Sequence, residues 1–399
     1  MTRTDIFISG GGVAGLAAAA AFGTAGYSVV IADPAPPITD QASDGADLRT
    51  TAFLQPARDF LETAGLWAAL KPHAAPLQIM RIVDAGGAEA RARVTRDFDA
   101  ADISGEPFGW NLPNWLLRRE MVARLEALDT VDFRSGVGFK SMLARTAEAR
   151  VTLTDGSRVA AKLVIGADGR GSPVRQSVGI GAKTTRYGQK ALTFAVTHDA
   201  PHDNISTEVH RTGGPFTLVP LPDHDGKPCS AVVWMEDGAE IARLTELSEV
   251  EFNAAATERS AGVNGALTLA TRRMAWPIIS QTADALTAER TALVAEAAHV
   301  MPPIGAQGLN MSLKDLASLL DLVKASDDPG AAPVLEAYAK ARRADIKLRV
   351  TGIDLLNRTS QANAPLIRDL RAMGMRVLHD VAPVRKTLMR MGLGAKNRA

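Results

Sequence analysis

Two rhythms of apolar and polar residues run along this chain, and both appear within its first forty positions. Asp5–Ser9 reads as a short buried strand, because its apolar run is too short for a helix and is closed by glycines. Val13–Ala25 is rich in alanine and leucine and reads as a helix ended by Gly26. Tyr27–Ala32 is a second apolar strand, stopped by Pro34, Pro36 and Pro37. Strand, helix and strand in this order predict a βαβ unit and a parallel sheet. Beyond it, Arg58–Leu70 is expected to be helical, and Leu77–Asp84 and Arg91–Val94 to be strands. Leu116–Leu128 is expected to be a helix with Leu117, Met121, Leu125 and Leu128 on one face. Asp155-Gly156 sets a hairpin within Val151–Ala160, and Lys162–Ile165 is another apolar strand.

From Ala191 to Ile279 the rhythm changes. Short β-rich stretches begin at Ala191, Phe216, Ser230 and Met274, and turn-rich segments such as Pro222–Pro228 separate them. This predicts an antiparallel sheet inserted into the first unit. Arg290–Ala295 returns to a buried strand, and from Ser312 the chain reads as mostly helix. The expected fold class is α/β: a Rossmann-like dinucleotide-binding domain, an inserted antiparallel β-sheet substrate domain and a C-terminal helical segment. Residues 1–75, 106–182 and 283–335 are assigned to the first, 76–105 and 183–282 to the second, and 336–399 to the third.

Composition narrows this picture. A chain of 399 residues is longer than one simple core usually supports. No apolar run reaches the roughly 18–20 residues needed to span a bilayer. The N-terminus lacks the layout of a secretory signal, and the single Cys229 can form no intrachain disulfide, so a cytoplasmic location is expected. One thiol also cannot build a cysteine-based metal site, and no metal is expected. The net charge of +1 conceals an asymmetry: from Ala339 onward there are 14 Lys+Arg against 4 Asp+Glu. Such a basic helical tail suits an anionic membrane surface, an acidic partner or plain solvent. Basic–aromatic interleaving is missing, so nucleic acid is not expected as a partner.

Three constellations carry chemistry. The first, Gly10-Gly11-Gly12-Val13-Ala14-Gly15, lies between the first strand and its helix. One glycine permits the tight turn, a second admits a pyrophosphate, and a third lets the helix pack on the strand. Helix N–H groups and the helix dipole then favour the phosphates. Asp33 ends the second strand, where a ribose-binding acid is expected about 20 residues on. The second runs from Leu163 to Arg175 and delivers Asp168 into a glycine-rich turn before a helix capped by Ser172 and started by Pro173. Taken alone it is equally a well-made strand–helix connection. The third runs from Ala295 to Asn310. It holds Glu296 and His299, a rigid Pro302-Pro303, and Gly305 and Gly308 before a helix start. A helix start can stabilise negative charge on a ring. His299 is a candidate proton donor or a packed, hydrogen-bonded histidine, and Pro303 is the other catalytic candidate.

In this order the three motifs resemble those of the group A flavoprotein aromatic hydroxylases: a dinucleotide fingerprint, a central Asp-Gly motif and a late Gly-Asp motif. The segments around Asp47–Phe53, Gly65–Trp67, Asn114, Gly214–Leu221, Val233-Trp234, Tyr338 with Arg342, and Leu370–Gly394 resemble one branch, the ubiquinone-biosynthesis hydroxylases. The resemblance implies FAD as cofactor and NAD(P)H as reductant. It implies hydroxylation of a polyprenylated phenol with O2 through a C4a-hydroperoxyflavin. By it, Gly10, Gly12, Val13, Ala14 and Gly15 hold the pyrophosphate, Asp33 the adenosine ribose, and Arg49 and Arg118 the phosphate–ribose region. Asp168 serves FAD and reductant binding. Gly305, Ala306, Gln307, Gly308, Leu309 and Asn310 line the flavin ring. The late motif departs from the family pattern, with Ala295-Glu296 in place of Gly-Asp. Hydroxylation of a small soluble aromatic acid, reduction without oxygen insertion, and a non-catalytic FAD-binding role are the alternatives. A membrane-borne substrate would give the basic tail a docking role through Leu366, Leu370, Met373 and Val377, at the inner face of the cytoplasmic membrane or on a biosynthetic complex.

Overall fold

The computed structural model describes residues 1–86, 90–211, 213–361 and 382–393. An eight-stranded sheet forms around the N-terminal βαβ unit. Thr2–Ser9 sits in its centre, parallel to Val29–Asp33 on one side and to Arg158–Gly166 on the other. Val131–Ser135 and Thr291–Leu293 extend it in parallel, so segments distant in sequence deliver their strand ends to one edge. The central strands are apolar where they are buried, as at Ile6–Ile8, Val29–Ala32 and Leu163–Ile165, while the edge strand Val131–Ser135 keeps Asp132 and Arg134. The helix Val13–Thr24 is buried along almost its whole length, which its alanines permit by letting neighbours approach closely.

A nine-stranded sheet forms the second body. At its middle, Ala182–His198 pairs antiparallel with Lys227–Asp237 and Met274–Ala283, and Pro215–His224 lies beyond Lys227–Asp237. Ile79–Asp84 joins the sheet parallel to Ile205–His210. One face carries Leu192, Phe194, Val196, Phe216, Leu218, Val232 and Trp234, packed with Ile241, Leu244 and Phe252. The last three come from helices Gly238–Glu246 and Glu249–Arg259, where only strands and turns were expected. Asp237 caps the first, and Ser248 with Glu251 forms a capping box on the second.

Three other expectations shift. The strand expected at Arg91–Val94 lies at Val94–Asp99, where Arg81 and Asp97 pair across the ladder. The helix expected over Arg58–Leu70 is two, Gln55–Thr63 and Trp67–Leu70, broken where Gly65 takes φ +70°. The helix read from Ser312 begins earlier, over Gln307–Lys324. It is followed by the long helix Ala332–Gln361. The apolar tail face at Leu366, Leu370, Met373 and Val377 lies outside the described residues. No described helix is long and apolar enough to cross a membrane.

Candidate cofactor and substrate site

The glycine turn has the form that a diphosphate cradle requires. Gly10 takes φ +111°, and a Cβ there would lie 2.4 Å from the Ala167 carbonyl oxygen. A Cβ on Gly15 would lie 1.9 Å from the Gly10 oxygen, so helix and strand could not stay in contact. Gly12 differs, because a Cβ there would meet nothing within 4 Å. Two glycines therefore hold the backbone together and a third leaves open space before the helix N-terminus. Val13 is half-buried in the first turn and Ala14 is buried beneath it. Asp33 accepts from the Gly11 N–H at 2.5 Å and from the Ala35 N–H at 2.8 Å, which fixes its carboxylate against the turn.

Asp168 reaches the same place from the Arg158–Gly166 strand. Its Oδ2 accepts from Ser9 Oγ and from the Val174 N–H, each at 3.1 Å. Its Oδ1 is buried and finds no partner among the described residues. Burial pushes this carboxyl above its ordinary range, against the pull of the Ser172, Val174 and Ser9 donors. A buried acceptor with an unused lone pair is costly unless something completes it.

A second group gathers around Asp47. Arg49 donates twice to its carboxylate, at 2.8 and 2.7 Å, and Asn114 Nδ2 donates at 3.1 Å. Arg118 approaches to 3.8 Å, and its Nε is buried without a partner among the described residues. Burial alone would raise the Asp47 carboxyl, but Arg49, Asn114 and Arg118 together bring it below the usual value. Neither Asp47 nor Asn114 was singled out as a cofactor contact in the sequence. The spacing Asp47-x-Arg49 was a legible signal for the first. Glu296 is the single exposed position between Thr291 and His299, and its charge acts on Arg49.

The third motif divides into an open part and a closed part. Pro303, Gly305 and Gly308 are exposed, while Ala306 takes the left-handed φ of +55° just before the helix starts at Gln307. Leu309 packs partly buried against the main core. Asn310 ties the helix to the strand Thr50–Leu54: it donates to the Ala52 oxygen at 2.7 Å and accepts from the Leu54 N–H at 2.8 Å. His299 belongs to the closed part. It is 2% exposed, and its Nε2 lies 2.6 Å from Asp315 Oδ2. That placement matches the second of the two readings of His299, a packed and hydrogen-bonded histidine.

The inner face of the nine-stranded sheet turns toward this motif. Ala191, Met235 and Ile278 cluster there with Val233 and Ile304, and Val219 packs with Leu54 and Ala52. Trp276 donates to Thr193 Oγ1 at 3.2 Å, and the Arg49 guanidinium lies 4.2 Å from the Trp276 ring centroid. The cofactor cradle thus ends at an apolar wall. No group of three or more potential metal ligands occurs among the described residues.

The comparisons with known proteins agree with this geometry. The family described as FAD binding domain matches residues 3–351. Ubiquinone hydroxylase UbiL of Rhodospirillum rubrum is 32% identical, over 98% of this chain and 89% of its own length. The 3-demethoxyubiquinol 3-hydroxylase of Escherichia coli is 27% identical over 98% of each. Among solved structures, p-nitrophenol 4-monooxygenase PnpA from Pseudomonas putida superposes with a TM-score of 0.80 over the whole of both chains at 18% identity. That likeness concerns the fold. The orphaned Asp168 oxygen, the orphaned Arg118 nitrogen and the open space at Gly12 all fit a long anionic cofactor. The chain belongs to the FAD binding domain family, and its cofactor is FAD.

Proposed function

We propose that this protein is an FAD-dependent monooxygenase that hydroxylates the ring of a polyprenylated phenol in ubiquinone biosynthesis, with O2 and NAD(P)H. The apolar wall carries the reading. Ala191, Thr193, Ala195, Val219, Leu221, Ala231, Val233 and Met235 contain no ionised side chain. A small aromatic acid would need a cation for its carboxylate there. Arg49, which lies over the Trp276 ring at this wall, already holds Asp47. The two relatives named for ubiquinone-related hydroxylation support the same substrate class.

In this reading Gly10, Gly12, Val13, Ala14 and Gly15 take the pyrophosphate on backbone N–H groups, and Asp33 takes the adenosine ribose. Arg49 and Arg118 meet the phosphate–ribose region, Asp168 completes its free acceptor on the cofactor, and Glu296 flanks it. Gly305, Ala306, Gln307, Gly308, Leu309 and Asn310 form the ring end, where the helix start favours negative charge. FAD supplies electron transfer and oxygen activation when bound. The protein's part is to hold the ring beside it, exclude water with the apolar wall and Pro303, and present the helix dipole. Residues 1–75, 106–182 and 283–335 serve as the cofactor domain, and 76–105 with 183–282 as the substrate domain.

The test is oxygen uptake by the FAD-loaded protein with NADH or NADPH, with and without a short-chain prenylated phenol, with products read by mass spectrometry. Substrate-stimulated uptake with a hydroxylated product is expected. Faster turnover of a small aromatic acid, or turnover without oxygen, would overturn the reading. A membrane-borne substrate also requires docking, for which the outward Leu348, Leu355 and Leu356 of the long helix, beside Lys347, are suited. Flotation with anionic vesicles at low salt is expected to carry the protein, and recovery only in the soluble fraction would remove this part.

A further inference from the structure

The turn Gly305-Ala306-Gln307 is held in an unfavourable shape. Gly305 takes φ +62° and Ala306 φ +55°, and no side chain caps the helix that follows. A non-glycine residue in the left-handed region costs about 1 kcal/mol or more and persists only when its surroundings fix it. Part of that fixing is local, since Asn310 Nδ2 donates to the Ala306 oxygen at 2.6 Å, and part leads away from the site. Gln307 Nε2 donates to the Gly305 oxygen at 2.9 Å, while Gln307 Oε1 accepts from Arg349 Nη1 at 2.5 Å. Arg349 lies on the long helix Ala332–Gln361, and its Nε donates to Asp345 Oδ1 at 3.1 Å. Asp345 also pairs with Lys314 at 3.1 Å and with Arg342 at 2.8 Å. Arg342 donates to the buried Asp315, which holds His299.

We infer that Arg349, oriented by Asp345, is a positioning residue for the ring end of the cofactor site: it fixes the Gln307 amide so that its NH2 braces the Gly305–Ala306 turn. A primary amide can turn over and exchange its oxygen and nitrogen. A guanidinium on the oxygen removes that freedom, because it offers donors only. With Oε1 bound to Arg349, the amide nitrogen must face the Gly305 carbonyl. Arg349 touches neither cofactor nor substrate and acts through Gln307. Asp345 holds the guanidinium in turn. Burial opposes its ionisation, but Lys314, Arg342 and Arg349 bring its carboxyl down to about 2, so it stays charged at every working pH.

The inference rests on the FAD reading, and its test is chosen to stand apart from turnover. FAD release from the full-length holoprotein, followed by flavin fluorescence, is measured for Arg349→Met, Gln307→Leu, the double variant and Arg349→Lys. Each single substitution is expected to weaken FAD binding about tenfold, the effect of one charge-assisted hydrogen bond. The double variant is expected to be no weaker than either single one, because both break the same brace. Arg349→Lys, which can still donate to the amide oxygen, is expected to recover most of the affinity. Arg358→Ala, an exposed pair partner of Asp354 on the same helix, is expected to stay within twofold. With NAD(P)H, the share of electrons released as hydrogen peroxide rises in the two single variants. Affinity within twofold of the parent for Arg349→Met, or additive losses in the double variant, would overturn the inference. A protein that binds FAD as expected but hydroxylates nothing defeats the substrate proposal and leaves this one decided by the titrations.

Discussion

Two charged clusters in this molecule are each built on an aspartate and an arginine, and they differ in how far they are shut off from solvent. Around Asp315, the carboxylate receives His299, Arg342 and the Ala295 N–H, and all three side chains are nearly inaccessible. Around Asp47, Arg49 keeps a side-chain exposure of 38%. The first carboxylate is closed and joins the long helix to the third motif. The second is open at its edge, where the Arg49 guanidinium lies over the Trp276 ring. Each cluster leaves one guanidinium nitrogen without a partner among the described residues, Arg342 Nη2 in the first and Arg118 Nε in the second, so access from outside rather than charge or a single unpaired donor separates them.

The largest test breaks the closed cluster. Asp315→Ala leaves Arg342 Nε buried without its acceptor, with only Asp345 still paired to that guanidinium, and frees His299. It is expected to destabilise the protein by about 3–5 kcal/mol, seen as a lower urea midpoint. A loss below about 1 kcal/mol would mean that the cluster is not structural.

A third buried carboxyl sharpens the comparison. Burial raises Glu236 to about 7, only partly opposed by Arg259, and its Oε2 has no partner among the described residues. A raised carboxyl contributes stability below its unfolded value that is lost as pH rises through the folded one. Stability is therefore expected to fall as pH rises from about 4.5 to about 7 and to level off above that. Glu236→Gln should flatten that slope and gain about 2 kcal/mol at pH 8. Equal slopes in both proteins would remove Glu236 as the cause.

The smallest effect on the fold belongs to the open cluster. Arg118→Ala is expected to change stability by less than about 1 kcal/mol, because its ion pair is long and partly exposed. FAD affinity should drop about tenfold. Calorimetry on FAD-loaded protein reads both quantities. Large destabilisation with unchanged affinity would place Arg118 with the structural residues instead.

Much of the first body was legible because its signals are local. The run Asp5–Ser9, the three glycines and Asp33 lie within a few turns of one another, and each has a specific backbone reason to be there. The misses have equally specific causes. Val94–Asp99 is a polar edge strand, so its apolar rhythm is faint and its register is set by Arg81 and Asp97 across the ladder. The helix at Glu249–Arg259 announces itself through Ser248 and Glu251, a capping signal overshadowed by the β-rich stretches around it. Gln307 reads as loop beside Gly305 and Gly308. Asn310 bonded to Ala52 and Leu54, together with the Arg349 brace, makes it helix.

By itself, then, the sequence determined a dinucleotide cradle, because a turn that admits a pyrophosphate needs glycine at fixed spacing and a helix directly after it. It also determined the alternation that makes one face of each inserted strand apolar. Only the tertiary structure decided which of those faces meets the cradle, because a sheet's two faces are equivalent until helices cover one of them. Ile241, Leu244 and Phe252 cover the bulky face, leaving Ala191, Val233 and Met235 toward Ile304. It also decided the burial of His299, which depends on Asp315 and Arg342 coming together from two separate helices.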